Sequence, residues 1–362
     1  MPELVAIAEQ LLAPVPGGTG RYTRELLRAM ASTAPSGWRL TSVVSRTGDP
    51  AAAAVDGVGG PRVLRLPRRA LIAAWERGVP LWPGGDSVHA MTPLAPPARR
   101  GRRLVVTVHD TVPWTHPETL TPRGAAWHRR AITRAARAAD AIVVPTRAVA
   151  ADLARHVDLA ADVHVIGEGV TASVTAESSA RLDLPPRYVL VVGTVEPRKG
   201  HEHLVRALAE PDAPDLALVV VGSPGWGAVD LRRIAADHGL APERLRLLGG
   251  VTDAELAEVL RRAAALAAPS LAEGFGLPVL EAMAAGVPVI HSDAPALVEV
   301  AGGAGIEVPR ADHRALAAAL RTAADAPDRD RIEAGRRRAA EFTWERAARE
   351  VWRLHTEDTT TA

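Results

Sequence analysis

The chain has 362 residues, enough for two domains of ordinary size, and its 47% hydrophobic and 23% charged residues are typical of a globular protein. A formal net charge of +1 gives no electrostatic reason to expect nucleic-acid binding, and the absence of cysteine excludes disulfides and thiolate metal sites. The first residues lack the basic segment of a secretory signal and no apolar run reaches about 18 residues, so we expect a cytoplasmic protein without a membrane-spanning helix.

The N-terminal stretch predicts a strand, a glycine-rich turn and a helix. An apolar run at residues 4–8 is consistent with a buried first strand, and Pro16 with the following glycines precedes the amphipathic pattern RYTRELLRAM. This order is typical of a loop that faces a phosphate. The spacing is not GxGxxG, however, so a plain turn is the alternative.

The first half continues as short β-rich runs separated by helical patterns. Strands are predicted at residues 39–44, 62–66, 88–90, 104–108, 141–144 and 163–166. Such alternation favours a parallel sheet covered by helices on both faces, and ligands bind these sheets beyond the carboxyl ends of the strands. His109 and Asp110 directly follow a strong strand, which favours a role in chemistry. A structural histidine is the alternative.

Two segments of the first half mix arginine with tryptophan and aliphatic residues. They are residues 61–82 and 123–137. Such a mixture can lie on an anionic membrane surface, so peripheral contact with the inner face of a plasma membrane is one hypothesis. The alternative is that the arginines are solvated on one face of a helix whose other face belongs to the core.

A loss of periodicity at residues 167–186 predicts the passage between the two halves. The second half opens with YVLVVGTVEPRKG, an apolar strand followed by Arg198 and Lys199 and then by a helical pattern. Cationic side chains between a strand and a helix suit a diphosphate, and Lys199 is the only lysine of the chain. A basic helix start without a ligand is the alternative.

Residues 269–290 predict a turn, a short helix and a strand. Pro278 suits the first position of the helix and Gly286 its end, which places Glu273 in the turn and Glu281 on the first helical turn. The backbone N–H groups before this helix can hold a phosphate. Two carboxylates beside a phosphate would repel it, so we expect them to bind hydroxyls on either side of it, as a nucleotide sugar offers.

The spacing of Glu273 and Glu281 matches the E-x7-E motif of retaining glycosyltransferases of family 4, and EGFGLPVLEAMAAGVPVI resembles the wording of that family. The segments GGTGRYTRELL, VTVHDTVPWTHPE and GTVEPRKG resemble it as well. The resemblance covers nearly the whole chain and implies the α/β GT-B fold, two Rossmann-like domains with a cleft between them. The domains are then residues 1–170 on the acceptor side, a linker at 171–186, and a nucleotide-sugar-binding domain at 187–341. Residues 342–362 form a terminal helix that crosses back to the first domain.

The resemblance also implies roles for the motif residues. Glu281 binds the ribose hydroxyls, Glu273 the hexose hydroxyls, and Arg198 with Lys199 the diphosphate. Two further donor contacts are Gly18, whose loop faces the phosphates, and Val251, which binds the base through its backbone. The phosphates also meet four backbone N–H groups before the helix, those of Gly274, Phe275, Gly276 and Leu277. His109 contacts the transferred sugar. The chain has IGEGV where the family usually has Asn-Gly, so no site role is given to that junction.

The implied reaction is transfer of a hexose from a nucleotide sugar to an acceptor hydroxyl with retention of configuration. Arg198, Lys199 and the helix end serve where other enzymes use a divalent ion, so we expect no metal and no cofactor beyond the donor. The wording is most similar to bacterial mannosyl- and rhamnosyltransferases of glycan and lipid-linked assembly, which makes GDP-mannose the first donor to test. A nucleotide-sugar 2-epimerase, which shares the fold but not the EGFGLPVLE block, and a non-catalytic nucleotide-sugar-binding protein are the alternatives.

Overall fold

A computed structural model describes residues 1–176, 180–225, 227 and 229–357. Residues 177–179 of the predicted linker and residues 358–362 of the predicted terminal helix lie outside the described residues. The chain divides into two compact units. Unit 1 comprises Met1–Thr115, Thr121–Gly169 and the chain from Thr343 onward, whereas unit 2 comprises His116–Leu120 and Val170–Phe342.

Unit 1 contains a parallel seven-stranded sheet in the order β3-β2-β1-β4-β5-β6-β7. Its strands are β1 Glu3–Ile7, β2 Arg39–Arg46, β3 Gly59–Pro67, β4 Ser87–Ala90, β5 Arg103–Thr107, β6 Ala141–Val144 and β7 Asp162–Val165. Its helices are α1 Gly17–Ser32, α2 Arg68–Glu76, α3 Val112–Thr115, α4 Pro122–Ala138, α5 Arg147–His156 and, at the C-terminal end, α14 Trp344–Thr356.

Unit 2 contains a parallel six-stranded sheet in the order β10-β9-β8-β11-β12-β13. Its strands are β8 Tyr188–Val192, β9 Ala217–Val221, β10 Leu245–Gly249, β11 Ala265–Ala268, β12 Val289–Ser292 and β13 Ile306–Val308. Its helices are α6 Ala172–Thr175, α7 His201–Ala209, α8 Leu231–Asp237, α9 Asp253–Arg262, α10 Leu277–Ala285, α11 Pro295–Ala301, α12 His313–Asp325 and α13 Arg329–Ala340.

The apolar runs of the sequence are the central strands of both sheets. β1, β5 and β6 in unit 1 and β8 and β9 in unit 2 are almost wholly buried, as expected for strands covered by helices on both faces. Each unit has its own hydrophobic core. The predicted α/β fold with parallel sheets is therefore confirmed, and all seven strands predicted for the first half are present with ends shifted by at most three residues.

α14 packs within unit 1 although it is distant from that unit in sequence. Its amphipathic pattern buries Trp344, Val351 and Trp352, and the indole Nε1 of Trp352 donates to the carbonyl oxygen of Met30 at 2.9 Å. The helix therefore closes unit 1 by covering the side of α1.

Two helix starts differ from the sequence prediction. α1 begins at Gly17, so Gly18 lies in its first turn and not in a preceding loop. The helix can start this early because residue 20 is glycine: a Cβ there would lie 2.2 Å from the Cβ of Pro16, whose carbonyl accepts the first helical hydrogen bond from Gly20. In the region of Pro278, α10 begins one residue earlier, which moves Glu281 from the first turn to the second.

Among the helices of the described residues, none is both long and apolar enough to cross a membrane.

Candidate active site

The functional loops of unit 2 follow two neighbouring strands in the middle of its sheet. β8 and β11 lie side by side, and the chain leaves them toward opposite edges of the sheet. Such a switch point opens a crevice beyond the carboxyl ends of the strands. The loop after β8 carries Lys199 and the loop after β11 carries Glu273, and both side chains line one small cavity together with Gly276.

Glu273 holds the two cations of the facing loop. The Lys199 ammonium donates to Glu273 Oε1 at 2.6 Å, and Arg198 Nη1 donates to Oε2 at 3.2 Å. The Ser270 hydroxyl donates to the same Oε1 at 2.7 Å. With side chains only 13% and 18% exposed, Glu273 and Lys199 form a largely buried ion pair.

These contacts decide the charge of Glu273. Burial by itself would raise the pKa of this carboxyl, but the charges of Lys199 and Arg198 and the hydrogen bonds from Lys199 and Ser270 outweigh burial and lower the pKa to about 2. Glu273 is therefore ionised at neutral pH, and it holds both cations at the crevice.

Arg198 is fixed by partners on three sides. Its Nη2 donates to Glu196 at 2.6 Å, and its Nη1 also donates to the carbonyl oxygen of Ala272 at 2.7 Å. The next turn packs tightly against the Glu273 loop, since Gly200 has φ +68° and a Cβ there would lie 2.2 Å from the carbonyl oxygen of Pro269. Only glycine fits this close contact, so the loops after β8 and β11 pack directly against each other.

α10 starts directly behind Glu273. Gly276 has φ +107° and is the residue before the helix, while the side chains of Phe275 and Leu277 are buried in the core. Of Phe275 and Leu277, therefore, only the backbone N–H groups are suited to a phosphate, as the sequence predicted. Gly274 lies in the same turn.

Two other predicted donor residues are not part of this cavity. Glu281 is on α10 and 2% exposed, and Val251 follows β10, just before the capping box by which Thr252 begins α9. Neither is among the residues that line the cavity of Lys199 and Glu273. The structure thus brings Arg198, Lys199, Glu273 and the start of α10 together, whereas Glu281 and Val251 do not line their cavity.

Unit 1 has its own switch point, between β1 and β4, and a cavity of about 880 Å³ opens at the carboxyl edge of its sheet. We call it the unit 1 cavity. Its lining is formed by the segments that follow β1, β4 and β5 and by residues of α2 and α4, and His109 and Asp110 both belong to it. Thr19 of α1 lines the cavity as well, whereas its neighbour Gly18 does not.

The imidazole of His109 is held in one tautomer. Nε2 lies 2.9 Å from the carbonyl oxygen of Met91, which can only accept, so Nε2 carries a proton. Burial lowers the pKa of His109, and the Met91 hydrogen bond and the charge of Asp110 oppose this only in part. The ring is therefore neutral at pH 7, and Nδ1 is a hydrogen-bond acceptor.

A buried chain of hydrogen bonds supports the other side of this ring. The Tyr22 ring contacts His109 edge-on, at 4.7 Å between centroids, and its hydroxyl lies 3.3 Å from Thr107 Oγ1. Thr107 in turn lies 2.9 Å from His89 Nε2, and His89 Nδ1 lies 3.1 Å from His355 Nε2 on α14.

The chain ends at Ser87, whose hydroxyl is 2.6 Å from His355 Nδ1 and donates to the carbonyl of Arg103. Since that carbonyl can only accept, every proton can point the same way, from Tyr22 to Ser87, with both histidines neutral. Burial accordingly lowers the pKa of His89 to about 3 and that of His355 well below its ordinary value.

Three residues that orient the side chains of the site were missed in the sequence analysis. Glu196 and Ser270 orient Arg198 and Glu273, and Tyr22 orients His109. Glu196 could have been found, because it lies two residues before Arg198 in a tight turn. Ser270 could have been found as well, because it lies three residues before Glu273, whereas Tyr22 gave no signal because its contacts are with residues distant in sequence.

Among the described residues no group of three or more His, Cys, Asp or Glu side chains is arranged to hold a metal ion.

Two family models match the chain. Residues 16–174 match glycosyltransferase family 4, and residues 175–338 match glycosyl transferases group 1. A curated relative, the MMP alpha-(1->4)-mannosyltransferase of Mycolicibacterium hassiacum, is 32% identical over 319 residues, or 81% of this chain and 74% of the relative.

Two other relatives are matched over less than half of their length. The O-antigen chain mannosyltransferase B of Escherichia coli is 36% identical over 44% of this chain and 42% of the relative. The D-inositol 3-phosphate glycosyltransferase of Stackebrandtia nassauensis is 37% identical over 46% of this chain and 41% of the relative.

Solved structures share the fold. A sucrose-phosphate synthase from Thermosynechococcus elongatus superposes with a TM-score of 0.77 at 23% identity, over 98% of both chains. Anabaena HepE, in complex with UDP and glucose, gives a TM-score of 0.74 at 18% identity, over 97% of this chain and 98% of that one. Together with the two parallel sheets and the matching family models, these similarities show that the chain belongs to glycosyltransferase family 4 and has the GT-B fold.

Proposed function

We propose that unit 2 binds a nucleotide-sugar donor by its diphosphate and that the enzyme transfers the hexose to an acceptor hydroxyl with retention of configuration. The observation that carries this proposal is the cluster of Arg198, Lys199 and Glu273 at the switch point, beside the start of α10. It places two cations and a helix N-terminus at one crevice, which is the combination that a diphosphate requires.

Lys199 is suited to contact the diphosphate directly. Its ammonium has three donors, of which Glu273 takes one. The compact charge of Lys199 can therefore stay paired with Glu273 while its other hydrogens reach phosphate oxygens. As the bond to the sugar breaks, negative charge grows on the departing diphosphate, and Lys199, Arg198 and the helix end stabilise it more strongly than the ground state.

The two glutamates take different roles in this scheme. Glu273 adjoins the cations and orients the hexose hydroxyls, whereas Glu281 binds the ribose from α10. Gly18 on α1 and the backbone at Val251 are the remaining donor contacts that we propose, toward the phosphates and the base. His109 accepts a hydrogen bond from the transferred sugar or from the acceptor through Nδ1.

Mannose is the first hexose to test. Two of the relatives are named as mannosyltransferases, which supports GDP-mannose as donor. HepE was solved with UDP and glucose, and another relative is named for D-inositol 3-phosphate. UDP-sugars are therefore the next donors to test, and the acceptor is a hydroxyl of a glycan, a lipid-linked intermediate or a small metabolite.

The test is a donor screen followed by product analysis. Thermal unfolding is measured with GDP-, UDP-, ADP- and dTDP-sugars, because a ligand at 100 times its dissociation constant stabilises the folded state by about 2.7 kcal/mol. The stabilising donor is then incubated with acceptors in excess EDTA, and NMR reports the anomeric configuration of the product. An inverted product, or transfer that EDTA abolishes and Mg²⁺ restores, contradicts the proposed mechanism. Conversion of the donor to an epimer without acceptor contradicts the proposed reaction.

Peripheral contact with an anionic membrane is a second proposal, and one observation favours it. Residues 61–82 expose three large apolar side chains, Val63, Val79 and Leu81, among their arginines. We expect the protein to sediment with vesicles that contain phosphatidylglycerol, and Leu81→Ser to weaken this binding. Equal sedimentation with pure phosphatidylcholine vesicles contradicts the proposal.

A further inference from the structure

Several basic residues of the unit 1 cavity lie at helix starts, where a positive charge is unfavourable. α2 begins with Arg68 and Arg69, α4 has Arg123 in its first turn, and neither first turn contains an acidic residue. A helix N-terminus is the positive end of the peptide dipoles, so a cation there is unfavourable. Local rules of this kind are broken mainly at functional sites.

Both helix starts lie at the same place. Arg68, Arg69 and Arg123 line the unit 1 cavity, and so does Gly124. The residue before α2 is Pro67, and no side chain caps this helix. No side chain therefore accepts from its first N–H groups. Dipoles and guanidinium groups therefore add up to positive potential on one side of the cavity.

The arginines differ in how they are paired. Arg68 lies 3.7 Å from Glu9, and Arg130, which also lines the cavity, donates to Glu76 at 3.2 Å. Arg69 and Arg123 are exposed, and neither has an ionic partner anywhere in the described part of the chain. Two planar guanidinium forks on this lining are thus without a counter-ion, and such forks match the oxygens of phosphate or carboxylate.

A third donor lies on the same helix face as Arg123. Trp127 follows it by four residues on α4, which places the two side chains next to each other. The indole ring lines the cavity, and its Nε1 is buried without a hydrogen-bond partner among the described residues. Buried indole N–H groups normally have an acceptor. An anionic oxygen near Arg123 would supply one.

We propose that the unit 1 cavity binds an acceptor that carries an oxyanion, a phosphate or a carboxylate, held by Arg69 and Arg123. This inference rests on the proposed function, because it assumes that the acceptor enters unit 1. The anionic group lies at the starts of α2 and α4, and the reacting hydroxyl lies toward His109 and Asp110 on the same lining. A cavity of about 880 Å³ has room for an acceptor with both parts.

The first experiment measures binding without any nucleotide. Calorimetry compares mannose 6-phosphate and glucuronate with mannose, at constant ionic strength, on the full chain. We expect both anions to bind at least about tenfold more tightly than mannose, because hydrogen bonds to charged groups contribute more than those to neutral groups. Equal affinities for the three sugars overturn the inference.

The second experiment locates the anion. Arg69→Gln combined with Arg123→Gln is expected to weaken the tighter anion by about tenfold to a hundredfold. The matched control is Arg137→Gln, an exposed arginine of α4 that does not line the cavity, and it should change nothing. If Lys199→Ala abolishes anion binding and the double variant does not, the anion sits in unit 2 and the inference is wrong.

A third arm separates a lipid headgroup from a soluble acceptor. If the double variant loses only its binding to phosphatidylglycerol vesicles, and neither small anion binds the original chain, the arginines serve membrane contact and the inference is overturned. Donor affinity is measured on the same samples. A chain that binds a nucleotide sugar but no anion retains the proposed function and loses this inference. A chain that binds the anion but no nucleotide sugar retains the anion site and loses the proposed function, and with it the assignment of the anion as an acceptor.

Discussion

The two units present similar edges with different electrostatics. In each, a parallel sheet reverses its strand order, and the loops beyond the carboxyl ends carry the charged residues. In unit 2 the cations Arg198 and Lys199 are largely buried and paired with carboxylates. In unit 1 the arginines that line the cavity are exposed, and Arg69 and Arg123 have no ionic partner among the described residues.

This difference separates two ways of preparing a surface for an anion. Buried cations need internal counter-charges, because an unpaired charge away from water is costly. Such a site is therefore geometrically fixed before the ligand binds. Exposed arginines are solvated, so they can remain unpaired and adapt to different ligands. We expect the donor site to be selective and the unit 1 cavity to be more tolerant.

The largest effect is expected when the charge of Lys199 is removed from the buried cluster of unit 2. Lys199→Ala leaves Glu273 with one cation fewer, and breaking a buried pair costs about 3–5 kcal/mol of unfolding free energy. Loss of a charge-assisted hydrogen bond should also raise the donor dissociation constant by about tenfold to a hundredfold. Denaturant unfolding and calorimetry measure the two effects.

A charge-neutral pair separates these two effects. Lys199→Met combined with Glu273→Gln removes both charges, so much of the lost stability should return while donor affinity stays low. A double variant as unstable as Lys199→Ala would mean that the pair is not what stabilises this loop. Unchanged donor affinity in either variant would remove Lys199 from the site.

As the pH falls, the stability of unit 1 should decline at a higher pH than the stability contributed by the Glu273 cluster of unit 2. The pKa of His89 is lowered to about 3 in the folded state, from a value near 6.5 in the unfolded chain. The stability that His89 contributes is therefore complete above pH 6.5 and is lost as the pH falls below 6.5. Between pH 7 and 5 this amounts to about 2 kcal/mol for His89, and His355 acts in the same direction. The pKa of Glu273 is also lowered, but from 4.5 to about 2, so its contribution is lost only as pH falls below 4.5.

The measurement is thermal unfolding against pH in the original chain and in His355→Gln. Gln retains one donor and one acceptor for the hydrogen-bond chain but cannot be protonated in this range, so the decline between pH 7 and 5 should be shallower. The comparison between variants is needed because burial also lowers the pKa of His201 in unit 2, to about 4. Identical slopes would show that His355 does not carry the acid sensitivity.

The two glutamates of unit 2 should separate by ligand. Glu281→Gln is expected to weaken free nucleoside diphosphate and intact donor alike, by roughly 1–3 kcal/mol for an unpaired buried group. Glu273→Gln removes a negative charge beside Lys199 and Arg198, so free diphosphate should bind equally well or more tightly while sugar transfer falls. Calorimetry with the diphosphate and a transfer assay give the two readings. Equal weakening of free diphosphate by both variants would contradict the assignment.

The smallest effect is expected from an exposed pair of unit 1. Arg130 and Glu76 have side chains 60% and 30% exposed, and pairs of this kind contribute about 0–1 kcal/mol. Glu76→Gln should therefore change thermal unfolding little, in contrast to Lys199→Ala in unit 2. A large loss of stability would show that the exposed and buried pairs do not differ as proposed.

The sequence predicted much of the architecture because the strands are buried on both faces. Their apolar runs, and the glycine and proline residues between them, are local signals, and the family resemblance was confirmed. The start of α1 was placed too late because the prediction treated its glycines as a turn, whereas Pro16 and Gly20 allow the helix to begin among them.

The site was only partly predictable for a physical reason. Arg198, Lys199 and Glu273 stand in local motifs, and the structure brings them into contact. The ion pairs that Glu273 makes with the facing loop, and the chain from Tyr22 to His355, depend on strand neighbours that a linear pattern does not reveal. The pairing state of Arg69 and Arg123 likewise appears only when α2 and α4 are seen at one cavity.

Because Lys199 is the only lysine of the chain, it offers a spectroscopic reporter at the proposed donor site. When ζ-¹⁵N-lysine is supplied during expression, it marks only this side chain and leaves its three N–H donors in place. One resonance then reports on Lys199. It responds to the electric field of Glu273 before a ligand arrives and to phosphate afterwards. Occupancy of a 38.1 kDa enzyme can thus be followed through a single labelled side chain.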